Sequence, residues 1–586
     1  MLGRNHSQPI MKIKSSATHL IVSRLNVCLT LAVTTCVSLV EFPALAQTAA
    51  TSTNSAASVA STPAPEPTVI LTPRPSPKPR INGTSVFGVR PGSPFLFIIA
   101  ATGDRPMTFS EKGLPSGLKL DATTGRITGT LTKPGNHTVT LTAKNALGKA
   151  TQKFKIVCGP QIGLTPALGW NSWNCFGGAV TAEKVRSAAD AMVATNAYGR
   201  LIDHGWTYIN IDDFWEVNPR SAARDATLAG PERDDQGRIL PNLRFPDMKG
   251  LVDYIHGLGL KAGIYSSPGP LTCGGCIASW QHEELDARQY ADWGFDYLKY
   301  DWCSYGNIAN QEATARLGTN AVAQSTDGTN TTRQGRGNRP TLLLADHQKP
   351  YRVMHEALEK QSRDILFSLC QYGNANVWEW GADVGGNSWR TTGDIRDNWR
   401  SLSSNGFRLG GHEKYIGPGH FDDPDMLVVG AVDVGSGRNI RASRLTPNEQ
   451  YTHISLWCLL TSPLLIGCDM TRLDDFTLNL LCNDEVLEVD QDPLCRQASR
   501  VLQDTNNQVE IWVKPMADGS KTIGLFNRSD SETQMTAKWA DLGLKGNQKV
   551  RDLWRQKDLG KFKDKFEATV PRHGVVLVRI WPAKFW

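Results

Sequence analysis

After Pro160 the chain alternates short apolar, strand-like runs with longer helix-like stretches, and this pattern restricts the fold more than any other feature. Strands that alternate with helices favour a parallel sheet, because each helix returns the chain to the same edge. Eight such runs predict a (β/α)8 barrel. The candidate strands are Ala167 to Trp173, Tyr208 to Asp213, Leu260 to Tyr265, Tyr297 to Asp301, Ile365 to Cys370, Trp389 to Asp394, Tyr415 to Met426, and Leu464 to Asp469.

Polar and aromatic side chains are concentrated where these runs end. In a barrel of this kind the active site lies at the carboxyl ends of the strands. One carboxylate at a strand end says little, but five concentrated there predict a functional site. The candidate site residues at or near the run-ends are Trp173, Asp212, Asp213, Tyr265, Asp301, Gln371, Asp394 and Asp425.

The fourth run, DYLKYDWC, contains two charged residues in an otherwise strand-like apolar segment. Side chains alternate between the faces of a strand, so Lys299 and Asp301 are expected to point the same way. The ammonium group can then keep the carboxylate ionised at neutral pH, as a carboxylate nucleophile requires. A structural ion pair is the alternative, and it would be the better reading of a Lys-x-Asp seen alone.

The chain of 586 residues is too long for one domain, and its 40% hydrophobic and 20% charged residues are typical of folded soluble proteins. Its net charge of +6 is small and dispersed, so neither nucleic acid nor an anionic membrane is indicated as a partner.

The first 46 residues predict a secretory signal peptide. Basic residues precede an apolar run, and a small-x-small cleavage site ends at Ala46, before Gln47. We therefore expect export to a periplasm or beyond, with no membrane attachment after cleavage. Removal of Cys28 and Cys36 leaves ten cysteines in an oxidising compartment, where some should pair.

Three further segments complete the predicted domain organisation. Residues 47–80 are rich in Ala, Ser, Thr and Pro and predict an extended linker. Residues 81–158 and 495–586 contain short alternating runs and predict antiparallel β-sandwiches on either side of a barrel spanning 160–494. The string LPSGLKLDATTGRITGTLTKPGNHTVTLTAKNALGKAT resembles the immunoglobulin-like modules of bacterial secreted enzymes. A spacer role is expected for this module, with sugar binding as the alternative.

The strings GWNSWN, YINIDDFW, GLKAGIYSSPG, DYLKYDWC, FSLCQYG, WRTTGDI, DDPDML and LTPNEQYTHISLWCLLTSPLLIGCD occur in this order. They resemble the successive motifs of family 27 glycoside hydrolases, the α-galactosidase or melibiase family, from about Leu164 to the C-terminus. The resemblance implies a retaining exo-glycosidase built on a (β/α)8 barrel and a C-terminal β-sandwich. It implies a galactose-containing carbohydrate as substrate and neither a cofactor nor a metal.

By this resemblance Asp301 is the nucleophile and Asp394 the general acid/base. Retention of anomeric configuration requires two carboxyl groups about 5 to 5.5 Å apart, one attacking the sugar and one protonating the leaving oxygen. Asp394 must begin protonated, so we expect its pKa to be raised, in part by the charge of Asp301. The alternatives are an ion pair for Asp301 and a strand-end cap for Asp394.

The resemblance also implies the residues that recognise the sugar. Asp212 and Asp213 match carboxylates that accept hydrogen bonds from the O4 and O6 hydroxyls, with a helix cap or a metal ligand as the alternative. Lys299 and Arg390 match donors to ring hydroxyls, and even spacing places Arg390 on one strand face with Asp394.

The remaining implied contacts concern the walls of the pocket. Trp173 and Tyr265 match residues that enclose the sugar, with core packing as the rival interpretation. Gln371 lies in the loop that meets the C2 substituent and argues for galactose over N-acetylgalactosamine. Asp425 is expected to support the site from behind.

Cysteine pairing follows from the same family pattern. Cys303 is expected to pair with a cysteine of the loop after the third strand, where Cys273 is preferred to Cys276. A Cys-x-x-Cys metal site is the alternative, although no further ligands stand in a suitable pattern. Possible further pairs are Cys458 with Cys468 and Cys482 with Cys495. Phe214 replaces a family cysteine and leaves Cys175 without that partner.

Residues 306–347 enlarge the loop after the nucleophile strand with a segment rich in Asn, Thr, Gly and Gln. We expect this insertion to rim the subsites for the aglycone. Within the same class, a β-L-arabinopyranosidase and an α-N-acetylgalactosaminidase are the rival functions. A non-catalytic sugar-binding protein is the rival from another class.

Overall fold

The computed structural model describes residues 66–317, 340–434, 437 and 439–583. The predicted signal peptide, most of the linker and residues 318–339 of the insertion lie outside these ranges. Within them, every helix is too short or too polar to cross a bilayer.

Two small sheets form the N-terminal module, as the alternating runs predict. A four-stranded sheet has the order β2-β9-β8-β5, a three-stranded sheet has the order β3-β7-β6, and β1 pairs with β4. Val139, Leu141 and Ala143 are buried between the sheets because they share one strand face. The strands are β1 Arg80–Ile81, β2 Val86–Val89, β3 Pro94–Ile98, β4 Ala101–Thr102, β5 Thr108–Lys112, β6 Leu118–Leu120, β7 Arg126–Thr130, β8 Gly135–Asn145 and β9 Gly148–Cys158.

Eight parallel strands form the central sheet, in agreement with the predicted barrel. Their order is β16-β15-β14-β13-β12-β11-β10-β19. The strands are β10 Leu168–Asn171, β11 Tyr208–Asn210, β12 Lys261–Ser266, β13 Tyr297–Asp301, β14 Leu366–Cys370, β15 Ser388–Arg390, β16 Phe421–Asp423 and β19 Leu464–Ile466; the short pair β17 Ala431–Val432 and β18 Arg441–Ala442 lies outside this sheet.

Backbone hydrogen bonds join the two edges of this sheet. Leu427, just after β16, forms a parallel bridge with Ile466 of β19. The Leu427 amide donates to the Leu465 carbonyl at 2.8 Å, and the Gly467 amide donates to the Leu427 carbonyl at 3.0 Å. The ring of strands is thereby closed, and all the strand ends that carry the predicted site face the same side.

Helices separate most of these strands. The sequence LTPNE fixes the start of the helix α8. Pro447 is its first residue, and Thr446 and Glu449 form a reciprocal capping box. The helices are α1 Trp173–Phe176, α2 Ala182–Val193, α3 Met248–Gly257, α4 Glu283–Trp293, α5 Tyr305–Leu317, α6 Leu344–Glu359, α7 Trp399–Gly406, α8 Pro447–Leu460, α9 Asp475–Leu481 and α10 Asp484–Asp490.

The C-terminal part is an antiparallel β domain, as predicted. A six-stranded sheet has the order β20-β21-β22-β27-β24-β25, and β23 pairs with β26 over a shared apolar core. The strands are β20 Ser499–Asp504, β21 Val509–Pro515, β22 Lys521–Asn527, β23 Thr533–Lys538, β24 Asn547–Asp552, β25 Lys557–Lys563, β26 Lys565–Val570 and β27 Val575–Pro582.

The N-terminal module contacts the amino-terminal side of the barrel strands. Asp364, two residues before β14, accepts hydrogen bonds from the Arg90 amide at 3.0 Å, Arg90 Nε at 2.7 Å and Ser93 Oγ at 2.8 Å. Lys261, the first residue of β12, has its ammonium group 5.0 Å from the ring centre of Phe87. These contacts lie at the opposite ends of the strands from the predicted active site.

One disulfide occurs among the described cysteines, and it joins Cys273 to Cys303 as expected. The possible pairs of Cys458 with Cys468 and Cys482 with Cys495 are not formed, and all four thiols are free and buried. Cys495 Sγ instead donates to the Leu164 carbonyl at 2.9 Å.

Candidate active site

Asp301 is the last residue of β13 and lies in register with Cys370 of β14. Its carboxylate is 4% exposed and has a phenol on each oxygen. Tyr372 donates to Oδ1 at 2.7 Å, and Tyr265 donates to Oδ2 at 3.3 Å. Burial raises the pKa of Asp301 above its usual value, while the charge of Lys299 and the Tyr372 hydrogen bond oppose the rise.

A structural ion pair between Lys299 and Asp301, the alternative reading of the strand pattern, is not formed, because Lys299 pairs with Asp212. Its Nζ lies 2.8 Å from Oδ2 of Asp212, which follows β11. Burial alone would lower the pKa of Lys299, but nearby acidic groups, with Asp212 foremost, raise it well above its usual value. Lys299 is therefore a fixed cation that lowers the pKa of Asp301 from a short distance without bonding to it.

Asp394 lies four residues after Arg390, in the loop that follows β15. The predicted strand to Asp394 was too long, because β15 ends at Arg390. Asp394 is an exposed side chain, and its Oδ1 accepts a hydrogen bond from Arg390 Nη2 at 3.1 Å. Burial would raise its pKa, but the charges of Arg390 and then Lys299 lower it. The expectation of a raised pKa for Asp394 is therefore wrong for this structure.

Asp301 and Asp394 lie on either side of the segment Cys370 to Tyr372. Tyr372 is hydrogen bonded to Asp301, and its ring centre is 5.7 Å from Cζ of Arg390, which in turn contacts Asp394. Burial raises the pKa of the Cys370 thiol, and the charges of both aspartates add to this rise. The two carboxylates thus border the same small region at the carboxyl ends of β13 and β15.

Arg390 is anchored from below by Asp425. Arg390 Nη2 is 2.9 Å from Asp425 Oδ2, and the same oxygen accepts the Ile395 amide at 2.7 Å. Both side chains of this ion pair are almost fully buried. Asp423 of β16 lies in register with Arg390 of β15, and burial raises its pKa to about 6. Asp425 therefore positions Arg390 and the backbone next to Asp394.

Asp212 and Asp213 follow β11 and are both buried. Asp212 Oδ2 accepts hydrogen bonds from Lys299 and from Asn171 Nδ2, each at 2.8 Å. Asp213 accepts from Thr272 Oγ1 at 2.8 Å and from the Gly274 amide at 2.7 Å. Burial raises the pKa of Asp213 to about 6, against the lowering effect of these hydrogen bonds.

Trp173 and Gln371 complete the predicted set. Trp173 is half-buried at the start of α1, with its ring stacked on Phe214 at 6.4 Å. Gln371 is fully buried, and its Nε2 donates to the Asn374 carbonyl at 2.8 Å. Its amide therefore faces its own loop, and its proposed contact with a C2 substituent stays a prediction.

The disulfide ties together the loops that follow β12 and β13. Cys273 and Cys303 have their Cα atoms 4.8 Å apart. Tyr265 Oη is 3.2 Å from Cys303 Sγ, and Tyr372 Oη is 3.7 Å from Cys273 Sγ. The disulfide and the two phenols therefore enclose one side of Asp301.

Two groups among the described residues bring three possible metal ligands within 4.8 Å of one another. The first contains Asp301 and the two disulfide sulfurs, which are not thiolates. The second contains Asp213, Glu216 and Cys276. Burial raises the pKa of Glu216 well above its usual value and that of the Cys276 thiol likewise. Burial therefore disfavours the anionic forms through which both groups would bind a cation.

Several residues of the site were missed from the sequence. Tyr372 was not singled out, although its position next to Gln371 in the motif CQYG was a signal that could have identified it. Asn171 lies in GWNSWN and holds Asp212. Asp423 stands in the motif DDPDML, but only Asp425 of that motif was singled out. Thr272 gave no sequence signal, because isolated Thr residues are common in loops.

Family models match most of the folded chain. The model described as alpha galactosidase A matches residues 165–329 and 343–492. The alpha galactosidase C-terminal beta sandwich domain matches residues 506–580, and an Ig-domain model matches residues 78–159.

Individual relatives agree with these models. The α-galactosidase of Cyamopsis tetragonoloba is 36% identical over 427 residues, which are 72% of this chain and 87% of that protein. A Bacteroides fragilis structure, provisionally assigned as an α-galactosidase/melibiase, is 34% identical with a TM-score of 0.72 and covers 87% of this chain and 99% of its own. A GH27 β-L-arabinopyranosidase from Geobacillus stearothermophilus is 27% identical with a TM-score of 0.58, covering 72% and 97%.

Proposed function

This chain belongs to the α-galactosidase (melibiase) family of glycoside hydrolases, and we propose that it removes terminal α-linked galactose with retention of configuration. The observation that carries the proposal is the placement of Asp301 and Asp394 on either side of Cys370 and Tyr372. One carboxylate is buried and bonded by phenols, and the other is open to solvent beside an arginine. Two carboxyl groups in such different surroundings suit a nucleophile and a general acid/base.

In the first step Asp301 attacks the anomeric carbon as the bond to the aglycone oxygen breaks. The electron pair of that bond stays with the aglycone oxygen, which takes the proton of Asp394. The product is an ester between the sugar and Asp301. The fixed charge of Lys299 favours the ionised form of Asp301 that this step requires.

In the second step water attacks the anomeric carbon from the side that the aglycone left. Asp394, now ionised, takes a proton from the water, and the electron pair of the ester bond returns to Asp301. Two inversions give net retention. The Arg390 contact lowers the pKa of Asp394 and therefore favours the basic form used in this step.

The first step needs Asp394 protonated, although Arg390 lowers its pKa in the free site. We infer that a bound sugar hydroxyl competes for Arg390 Nη2 and weakens its contact with Asp394. Arg390 itself stays in place because it remains paired with Asp425. The pKa of Asp394 would then rise in the complex, where the proton is used.

Sugar recognition is proposed for the buried polar groups around this region. Asp212 and Asp213 would accept hydrogen bonds from O4 and O6, and Lys299, already aligned on Asp212, would donate to a neighbouring hydroxyl. Trp173 would close one side of the pocket. A non-catalytic sugar-binding role does not account for both carboxylates.

A β-L-arabinopyranosidase is the second candidate, and the Geobacillus relative favours keeping it. L-arabinopyranose has the ring stereochemistry of galactose without the C6 hydroxymethyl group. Nitrophenyl α-galactoside, β-L-arabinopyranoside and α-N-acetylgalactosaminide should be compared by kcat/KM. The highest value on the α-galactoside supports the proposal, and a higher value on either of the other two replaces it.

The same assay tests the two carboxylates. Asp301→Asn and Asp394→Asn should each lower kcat by at least about 100-fold on the α-galactoside. A variant that keeps wild-type activity removes its residue from the mechanism. We further propose export through the N-terminal signal segment, which N-terminal sequencing of the exported protein at Gln47 would support and a retained Met1 would refute.

A further inference from the structure

Tyr372 contacts three parts of the site, although it was not singled out from the sequence. Its Oη donates to Asp301 Oδ1 at 2.7 Å and lies 3.7 Å from the disulfide at Cys273. Its ring lies 5.7 Å from the guanidinium of Arg390. A phenol that only filled space would not place its hydroxyl on the buried carboxylate of Asp301.

The loop that carries Tyr372 is held in a strained conformation. Tyr372 has a φ of +65°, in the left-handed region that bulky residues rarely adopt, and Gly373 follows at +82°. A Cβ at Gly373 would come within 2.2 Å of the Thr391 carbonyl, so the loop passes close to the chain after β15. The surrounding structure therefore determines where the phenol lies.

Hydrogen bonds within the loop fix this conformation. Gln371 Nε2 donates to the Asn374 carbonyl at 2.8 Å, and Asn374 Nδ2 donates back to the Gln371 carbonyl at 2.7 Å. The Gly373 amide donates to the Arg390 carbonyl at 3.0 Å. Tyr372 is thus pre-organised against Asp301 before any substrate binds, and buried Gln371 contributes to this order.

The two oxygens of Asp301 are held unequally. Oδ1 has the short hydrogen bond from Tyr372, whereas Oδ2 has a longer one, 3.3 Å, from Tyr265. Tyr265 Oη is also 3.2 Å from Cys303 Sγ, so its hydroxyl is shared. Oδ2 is therefore the oxygen whose lone pairs are less committed and more available for attack.

We propose that Tyr372 is a positioning residue that pins Oδ1 of Asp301 and so selects Oδ2 as the atom that attacks the anomeric carbon. This inference rests on the proposed function of the same site. As Oδ2 bonds to the sugar, the bond from the sugar to the aglycone oxygen breaks, and Oδ1 becomes the carbonyl oxygen of the ester. Tyr372 stays hydrogen bonded to Oδ1 in the ester and in the Asp301 carboxylate that hydrolysis of the ester restores.

The test is Tyr372→Phe, which removes only the hydroxyl, compared with Tyr254→Phe. Tyr254 also donates its hydroxyl to an aspartate, Asp190, but on the exposed surface of α3. On nitrophenyl α-galactoside we expect kcat of Tyr372→Phe to fall about 100-fold, with no rise in KM. The acid limb of kcat should move to higher pH, because loss of the Tyr372 hydrogen bond raises the pKa of Asp301. Tyr254→Phe should match the wild type.

The outcomes separate this inference from the proposed function. A wild-type enzyme without activity on the α-galactoside refutes the proposed function itself. An active wild type, with unchanged kcat and acid limb in Tyr372→Phe, overturns the role of Tyr372 alone. A crystal structure of the wild type trapped with a fluorinated galactosyl donor supplies a second readout. The account requires the sugar on Oδ2 with Tyr372 on Oδ1, and a sugar on Oδ1 overturns it.

Discussion

The ammonium group of Lys299 illustrates what the sequence of the site reveals about single residues. The strand pattern of DYLKYDWC correctly identified a half-buried cation near Asp301. It could not identify the ion-pair partner, because Asp212 is 87 residues away and reaches Lys299 only through the curvature of the sheet. The same limit applies to Asp394, since the effect of Arg390 on its pKa depends on a loop conformation that no periodicity encodes.

The pH dependence of hydrolysis tests whether a bound sugar hydroxyl competes with Asp394 for Arg390. The profile of kcat/KM reports the free enzyme and that of kcat the complex with substrate. Glycosylation needs protonated Asp394 and is lost as pH rises through its pKa, which Arg390 lowers in the free site. We therefore expect the alkaline limb of kcat/KM at lower pH than that of kcat, provided that glycosylation limits both.

The control for this prediction is Asp394→Ala with a dinitrophenyl galactoside, whose leaving group needs no proton. The alkaline limb of kcat/KM should disappear in that variant. An alkaline limb that persists in Asp394→Ala would belong to another group. Alkaline limbs of kcat and kcat/KM at the same pH in the wild type would show that a bound sugar does not displace Asp394 from Arg390.

At the scale of elements, the eight strands could be predicted because apolar runs and turn-rich ends repeat at regular intervals. Their lengths could not, since pairing stops where neighbouring backbones diverge. The run to Asp394 ends as a strand at Arg390, and the run from Tyr415 to Met426 contains only the short strand at Phe421–Asp423. The cysteine of the third loop could be chosen only by family pattern, and the structure confirms Cys273.

The disulfide between the loops after β12 and β13 should stabilise the chain and the site together. It closes a loop with a sequence separation of 30 residues. Replacing Cys273 and Cys303 by Ser should lower the free energy of unfolding by about 3–4 kcal/mol and also reduce kcat, because the loops flank Asp301. Denaturant titration of the double variant provides the measurement.

Cys276→Ser is the matched control, because it alters a free thiol of the same loop and keeps the disulfide. Peptide mapping without reduction should recover Cys273 linked to Cys303. Recovery of Cys276 linked to Cys303, or a double variant as stable as the wild type, would contradict this assignment.

For the whole molecule, the N-terminal module lies against the amino ends of the barrel strands, away from the proposed catalytic residues. The sequence identified the sandwich but gave no sign of this contact, because Arg90 and Asp364 are ordinary charged residues 274 positions apart. Arg90 also donates to the carbonyls of Glu359, Gln361 and Arg363. The module is therefore hydrogen bonded directly to the amino-terminal side of the barrel.

Asp364→Asn should weaken the contact between the N-terminal module and the barrel without changing catalysis. We expect the free energy of unfolding to fall by about 1.5–3 kcal/mol, since charged hydrogen bonds to Arg90 are lost, while kcat on the nitrophenyl α-galactoside stays unchanged. Glu359→Gln provides the control, because this exposed partner of Arg90 should contribute at most about 1 kcal/mol. Equal effects of the two variants, or a loss of kcat in Asp364→Asn, would refute this role.

The central claim is that Asp301 and Asp394 act on opposite faces of one galactose. Azide rescue of Asp301→Ala and Asp394→Ala on an activated nitrophenyl α-galactoside tests it most directly, with the anomer of the galactosyl azide read by NMR. Azide replacing Asp301 attacks from the face opposite the aglycone and should give the β-azide. Azide replacing the water activated by Asp394 attacks the ester from the other face and should give the α-azide. The same anomer from both variants would contradict the account.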